Sequence, residues 1–197
     1  LRSIDVRRPQ SEEVAGSQDY FAEGLELVDN RLLQLTWTAG EGFIYDLQTF
    51  EQEETFSYEG QGWGLCYDER FLYMSDSTQY LSLRDPITFE LIARQLVTVN
   101  GRPLGQNLLN ELECVGDYVY ANLWQTDFIL QIDKFTGNAV AVIDASGLLT
   151  EAETAALGSG GVLNGIAYNP DTDTFYITGK LWPTLFEVRF VPIEETD

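Results

Sequence analysis

Four short motifs place chemically unlike side chains at one repeated position: Phe21-Ala22-Glu23-Gly24-Leu25, Gly62-Trp63-Gly64-Leu65, Leu109-Asn110-Glu111-Leu112 and Leu163-Asn164-Gly165-Ile166. The residue before the Gly or Glu is in turn a carboxylate, an indole and two carboxamides: Glu23, Trp63, Asn110 and Asn164. A carboxylate can carry a proton, a carboxamide can donate and accept hydrogen bonds, and an indole can exclude water. The chain has no histidine and only two cysteines, Cys66 and Cys114. That composition removes the usual ligands of zinc and any Ser-His or Cys-His pair. Any chemistry must therefore use carboxylates, amides, lysine or tyrosine.

The spacings between the four positions are 40, 47 and 54 residues, the size of one four-stranded propeller blade. A repeat that keeps its frame and varies one residue is how a propeller furnishes a central site. After each motif comes a turn and a second apolar strand: Leu32 to Trp37, Phe71 to Asp76, Tyr118 to Trp124 and Thr174 to Lys180. Third strands are expected at Phe43 to Leu47, Tyr80 to Leu83, Phe128 to Asp133 and Leu185 to Phe190, and outer strands near Glu54 to Tyr58, Leu91 to Val97 and Ala139 to Ile143. Alternating apolar residues and β-branched or aromatic enrichment select strand over helix. Thr49-Phe50, Thr88-Phe89 and Thr136-Gly137 mark the turns before the outer strands. One stretch departs from this pattern. Thr150 with Glu153 forms a capping box and Gly158 a C-cap, so a short helix precedes the fourth motif, beside the central mouth.

The expected fold is all-β, a single propeller domain over residues 1–197. Leu1 to Asp5 fits a third strand, so the chain is expected to begin in mid-blade, with roughly one blade period of 40 to 50 residues lying elsewhere. With that segment the ring has five blades. The unpaired edges would then pair with the missing segment or with another copy.

At 197 residues and 44% hydrophobic content the chain can bury a core. A formal charge of -21 repels phosphate backbones and anionic head groups, which argues against nucleic acid and membrane surfaces as partners. No apolar run of about 18 residues is present, nor a signal-peptide pattern. Such acidity suits a salt-rich habitat, a secreted protein or solubility alone; the expected location is extracytoplasmic, secreted or periplasmic. Cys66 and Cys114 follow successive motifs in registers that differ by one residue, and a buried pair of free thiols is expected, a disulfide being the alternative. Asp171-Thr172-Asp173 lacks the glycine and distal glutamate of a calcium loop and reads as a solvated turn.

Taken together, the four motifs with Leu35-Thr36-Trp37, Ala121-Asn122-Leu123-Trp124-Gln125-Thr126-Asp127 and Ile177-Thr178-Gly179-Lys180-Leu181-Trp182-Pro183 resemble the plant-type glutaminyl cyclases. The resemblance runs from Leu1 to about Val191. It implies a five-bladed propeller that converts N-terminal glutamine of peptides to pyroglutamate with release of ammonia, without metal or other cofactor. It also implies catalytic roles for Glu23, Lys180 and Asn110, and a substrate-binding wall of Trp37, Trp63 and Trp124, with Asn164 as a weaker member. Each of these has a plain alternative: a structurally bonded carboxylate for Glu23, an ion pair for Lys180, a turn for Asn110, core packing for any tryptophan. Trp182 is read as structural. The family's earlier Phe-x-Glu/Gln-Gly-Leu motif, in its first blade, has no counterpart here, which bears on the activity of the isolated chain. Two other readings stand beside the enzyme: a non-catalytic propeller that binds a peptide or small ligand, and a sugar- or lactone-processing propeller with a central metal. The second is disfavoured because the motifs lack a ring of carboxylates.

Overall fold

The computed structural model describes residues 20–106 and 108–192. Four sheets follow one another along the chain, each opening at one of the repeated motifs. The first contains β1 (Ala22–Val28), β2 (Arg31–Thr36), β3 (Glu41–Asp46) and β4 (Gln52–Ser57), and the second β5 (Leu65–Tyr67), β6 (Leu72–Met74), β7 (Tyr80–Arg84) and β8 (Leu91–Leu96). A small hairpin, β9 (Thr98–Val99) and β10 (Arg102–Pro103), precedes the third sheet of β11 (Leu109–Val115), β12 (Tyr118–Leu123), β13 (Phe128–Asp133) and β14 (Asn138–Asp144). Helix α1 (Glu151–Leu157) leads into the fourth sheet, β15 (Leu163–Asn169), β16 (Thr174–Gly179) and β17 (Phe186–Val188). Within every sheet the strands pair antiparallel in chain order, and β9 adds to the outer edge of the third by pairing parallel to β14.

The inner strands adjoin in sequence: β1 against β5, β5 against β11, β11 against β15. This is a propeller-like arrangement of four blades. The expected strand over Leu1 to Asp5 lies outside the described residues. The expected strand Leu185 to Phe190 is shorter, Phe186–Val188, because the run to Pro183 first forms an irregular turn.

The core lies between blades rather than within any one of them. Val28, Leu33, Leu35 and Ile44 of the first sheet pack with Leu65, Leu72, Met74 and Phe89 of the second. Cys66, Tyr73 and Leu81 pack with Leu109, Leu112, Val119, Leu130 and Ile132 of the third. Tyr120 and Ile129 pack with Leu163, Ile166, Phe175 and Ile177 of the fourth. A blade alone cannot bury its apolar face, so neighbouring blades stabilise each other.

One turn recurs between third and outer strands. Asp46, Asp85 and Asp133 accept hydrogen bonds from the N–H groups two and three residues on. Phe50, Phe89 and Gly137 then take the left-handed conformation at φ 58°, 60° and 73°. The aspartate supplies the bonds that an isolated turn lacks. Helix α1 carries the expected capping box, with Thr150 and Glu153 bonded reciprocally.

Cys66 and Cys114 form a disulfide, which corrects the expectation of free thiols. Neighbouring inner strands are packed, not laddered, so a one-residue offset in the repeat does not separate them. Their Cα atoms are 5.4 Å apart, within the span a disulfide bridges. Close approach of inner strands is also why Gly64 is glycine: a Cβ there would sit 2.1 Å from the carbonyl oxygen of Asn110.

Candidate active site

The repeated positions lie on or just ahead of inner strands that adjoin in succession, β1 to β5 to β11 to β15. Glu23 lies in β1 and Asn110 in β11, both where an irregular register bends the inner strand, and Asn164 occupies the same place in β15. Trp63 stands two residues ahead of β5, its backbone N–H bonded to the Ser75 carbonyl and its own carbonyl accepting from Gly24 N. Each blade is thus stitched to the next at this level. Ser75 Oγ accepts from Gly64 N and donates to the Asn110 carbonyl. Asn122 Oδ1 accepts from Gly165 N.

Lys180 follows β16 directly, its backbone N–H held by the Val162 carbonyl at 2.8 Å. Its Nζ lies 3.4 Å from Glu23 Oε1. The Glu23 side chain is 14% exposed and that of Lys180 33%. Burial raises the Glu23 carboxyl above its ordinary value, and the Lys180 ammonium opposes that rise. The ammonium also stands over the Trp124 ring at 5.0 Å and the Phe21 ring at 5.7 Å, in cation–π range.

Trp63 meets Trp124 edge to face with centroids 6.1 Å apart, and Phe21 meets Trp37 likewise at 6.1 Å. Phe21 and Trp124 therefore stand against the Lys180 ammonium, backed by Trp37 and Trp63. Trp37 remains 45% exposed, at the open side. Asn110 is buried, its backbone carbonyl taken by Ser75. Asn164 turns its side-chain oxygen to Glu111 N at 3.3 Å, so that oxygen serves the neighbouring strand. Trp182 packs at the margin of the third core cluster.

Four residues escaped the sequence reading. Glu26 and Glu113 stand three positions after Glu23 and Asn110, and each spans to the next inner strand: Glu26 Oε2 accepts from Tyr67 N and Glu113 Oε1 from Tyr168 N, both at 3.2 Å. Burial pushes both carboxyls up to about 7. Glu111 is pushed up to about 8 by burial first, then by the carboxylates of Glu26, Glu113 and Glu23, with Lys180 opposing. The inner strands therefore carry a group of carboxyls that repel one another and hold protons near neutrality. For Glu26 and Glu113, their shared offset from the repeated position was the available signal. The fourth residue, Gln61, accepts hydrogen bonds from two indoles.

A profile described as glutamine cyclotransferase matches residues 1–190 of this chain. The chain belongs to the glutamine cyclotransferase family. A glutaminyl-peptide cyclotransferase of Arabidopsis thaliana is 36% identical over 195 residues, covering 96% of this chain and 59% of that protein. The chain thus spans about three fifths of that relative. The crystal structure of Myxococcus xanthus glutaminyl cyclase superposes with a TM-score of 0.80 at 42% identity, over 89% of this chain and 75% of that one. Kuenenia stuttgartiensis hydrazine synthase shares the fold alone, at TM-score 0.54 and 13% identity, over 85% of this chain and 58% of that chain. In this chain a carboxylate pairs with a lysine, and that lysine stands over Trp124, which in turn meets Trp63.

Proposed function

We propose that this chain carries glutaminyl-peptide cyclotransferase chemistry: the α-amine of an N-terminal glutamine attacks its own γ-carboxamide carbon, giving pyroglutamate and ammonia. The contact between Glu23 and Lys180 carries the reading, because this reaction needs one base and one oxyanion donor within a few ångströms of each other. Glu23 receives the proton of the attacking amine and returns it to the departing nitrogen. The new N–C bond forms as the carbonyl becomes an oxyanion, and the C–N bond to ammonia then breaks. Lys180 stabilises that oxyanion. The raised basicity of Glu23 suits it to take a proton from an amine.

Asn110 holds the substrate by hydrogen bonds from the inner strand, and Trp37, Trp63 and Trp124 exclude water around its uncharged side chain. Asn164 contributes through its amide nitrogen, since its oxygen is engaged with Glu111. No metal or cofactor enters this scheme, consistent with a chain that lacks histidine. The complete ring is taken to have five blades, a reading supported by the repeat spacing. The disulfide supports an extracytoplasmic, oxidising location.

The test is incubation of the protein at its full natural length with a glutaminyl dipeptide, following ammonia and the loss of the reactive amine. Stoichiometric release of ammonia with formation of a pyroglutamyl product supports the reading. Binding without turnover would favour a non-catalytic propeller.

A further inference from the structure

Gln61 sits on the loop between β4 and β5, and its Oε1 accepts the indole N–H of Trp37 at 2.7 Å and that of Trp63 at 2.8 Å. A carbonyl oxygen has two lone pairs, and here both are used. Because an indole nitrogen can only donate, the oxygen, not the nitrogen, of this carboxamide must face the two rings. The backbone fixes the same geometry. Gly62 N donates to the Trp37 carbonyl at 2.9 Å, and a Cβ on Gly62 would fall 2.5 Å from Tyr58 Oη and 2.8 Å from the Thr36 carbonyl. The loop is therefore pressed against the end of β2, with Gln61 between the two tryptophans.

Two aromatic arms leave this point. One runs from Trp37 to Phe21 and the other from Trp63 to Trp124, each through an edge-to-face contact of 6.1 Å. Both arms end at one ammonium, Lys180 Nζ, 5.7 Å from the Phe21 ring and 5.0 Å from the Trp124 ring. We infer that Gln61 is a positioning residue: by holding both indole N–H groups it fixes the aromatic arms that aim Lys180 at Glu23. With both N–H groups occupied, the arms offer ring faces and edges to the substrate and leave hydrogen bonding to Glu23, Asn110 and Lys180. The inference rests on the catalytic reading for its kinetic arm, but its structural arm stands without it.

The test compares Gln61→Leu, which removes the acceptor, with Gln61→Glu, which keeps it. In ¹H–¹⁵N spectra of the full-length protein, the indole N–H signals of Trp37 and Trp63 shift in Gln61→Leu and stay near their wild-type positions in Gln61→Glu. In turnover of a glutaminyl dipeptide, Gln61→Leu lowers kcat by about tenfold, the scale of two lost hydrogen bonds, with a smaller change in KM, and Gln61→Glu recovers most of it. In a Trp37→Phe/Trp63→Phe background, which has neither N–H, Gln61→Leu has little further effect on kcat. Should Gln61→Leu fail to fold, slow solvent exchange of both indole N–H groups in the wild type, faster in Gln61→Ala, serves as the readout. Unmoved indole signals, equal impairment by Leu and Glu, or a full loss in the double-phenylalanine background would overturn the inference. An absence of turnover in the wild type would refute the cyclotransferase reading alone, since the spectra still report on Gln61.

Discussion

Lys180 Nζ stands 3.4 Å from Glu23 Oε1 across 157 positions of sequence. The first inner strand and the end of the fourth blade's second strand are brought to one point by the succession of blades. The pair is partly screened from water by Phe21 and Trp124. The proposed reaction gives the two groups separate tasks, Glu23 moving a proton and Lys180 stabilising an oxyanion, and each task can be tested by substitution.

Replacing Lys180 by alanine should lower kcat by about 10² to 10³, as loss of an oxyanion donor does. The same change should move the acid limb of kcat/KM upward. Burial already raises the Glu23 carboxyl above 4.5, and the lysine restrains that rise. A pH–rate profile of the variant, measured with a glutaminyl dipeptide, checks both the size and the direction.

The inner-strand carboxyls make stability fall as pH rises. Glu111 at about 8, and Glu26 and Glu113 at about 7, hold protons in the folded state that the unfolded chain releases near 4.5. Their contribution is present below about pH 4.5 and is lost as pH climbs through 7 to 8. Glu111→Gln, neutral at all pH values, should flatten that decline and stabilise the protein at pH 8 by about 1 kcal/mol or more, one pKa unit being worth about 1.4 kcal/mol. Urea unfolding at pH 5, 6.5 and 8 measures it.

Much of this architecture was legible in the chain because one unit is repeated. The turns at Thr49-Phe50, Thr88-Phe89 and Thr136-Gly137 and the capped helix carry local bonding that their residues dictate and are found where expected, while the aspartates that bond those turns emerge from the structure. Hairpin β9–β10 escaped because two-residue strands carry no period to read. Glu26 and Glu113 escaped because a charged residue on a strand ordinarily faces water, and only the packing of one inner strand on the next turns it inward. Lys180 resembles any solvated lysine in its local sequence; the family resemblance singled it out. The disulfide was misread because the repeat frame sets register within a blade, not between blades.

Breaking the Cys66–Cys114 link should cost stability without abolishing the pocket. It closes a span of 48 residues between two inner strands, for which chain entropy gives about 4 kcal/mol as an upper figure. A Cys66→Ser/Cys114→Ser variant should unfold at a lower urea midpoint, by about 2 to 4 kcal/mol, and retain its ¹H–¹⁵N indole pattern.

Gly64→Ala should be severe for so small a change. The added methyl would lie 2.1 Å from the Asn110 carbonyl, so β5 and β11 must move apart or the Ser75 bridge must break. A loss of about 2 kcal/mol or more is expected, in the range of overpacked cores, together with a rise in KM as Asn110 is displaced. Thermal unfolding and steady-state kinetics on the same preparation test this.

The most decisive measurement is ammonia release by Glu23→Gln at matched folding. Glutamine keeps the size and a hydrogen-bonding oxygen of the side chain but can neither accept nor return a proton at neutral pH. Turnover of a glutaminyl dipeptide by the full-length variant should fall by about 10² or more, with KM changed little, as loss of a general acid–base group requires. Turnover equal to wild type would contradict the assignment of proton transfer to Glu23, and with it the meaning given to its contact with Lys180.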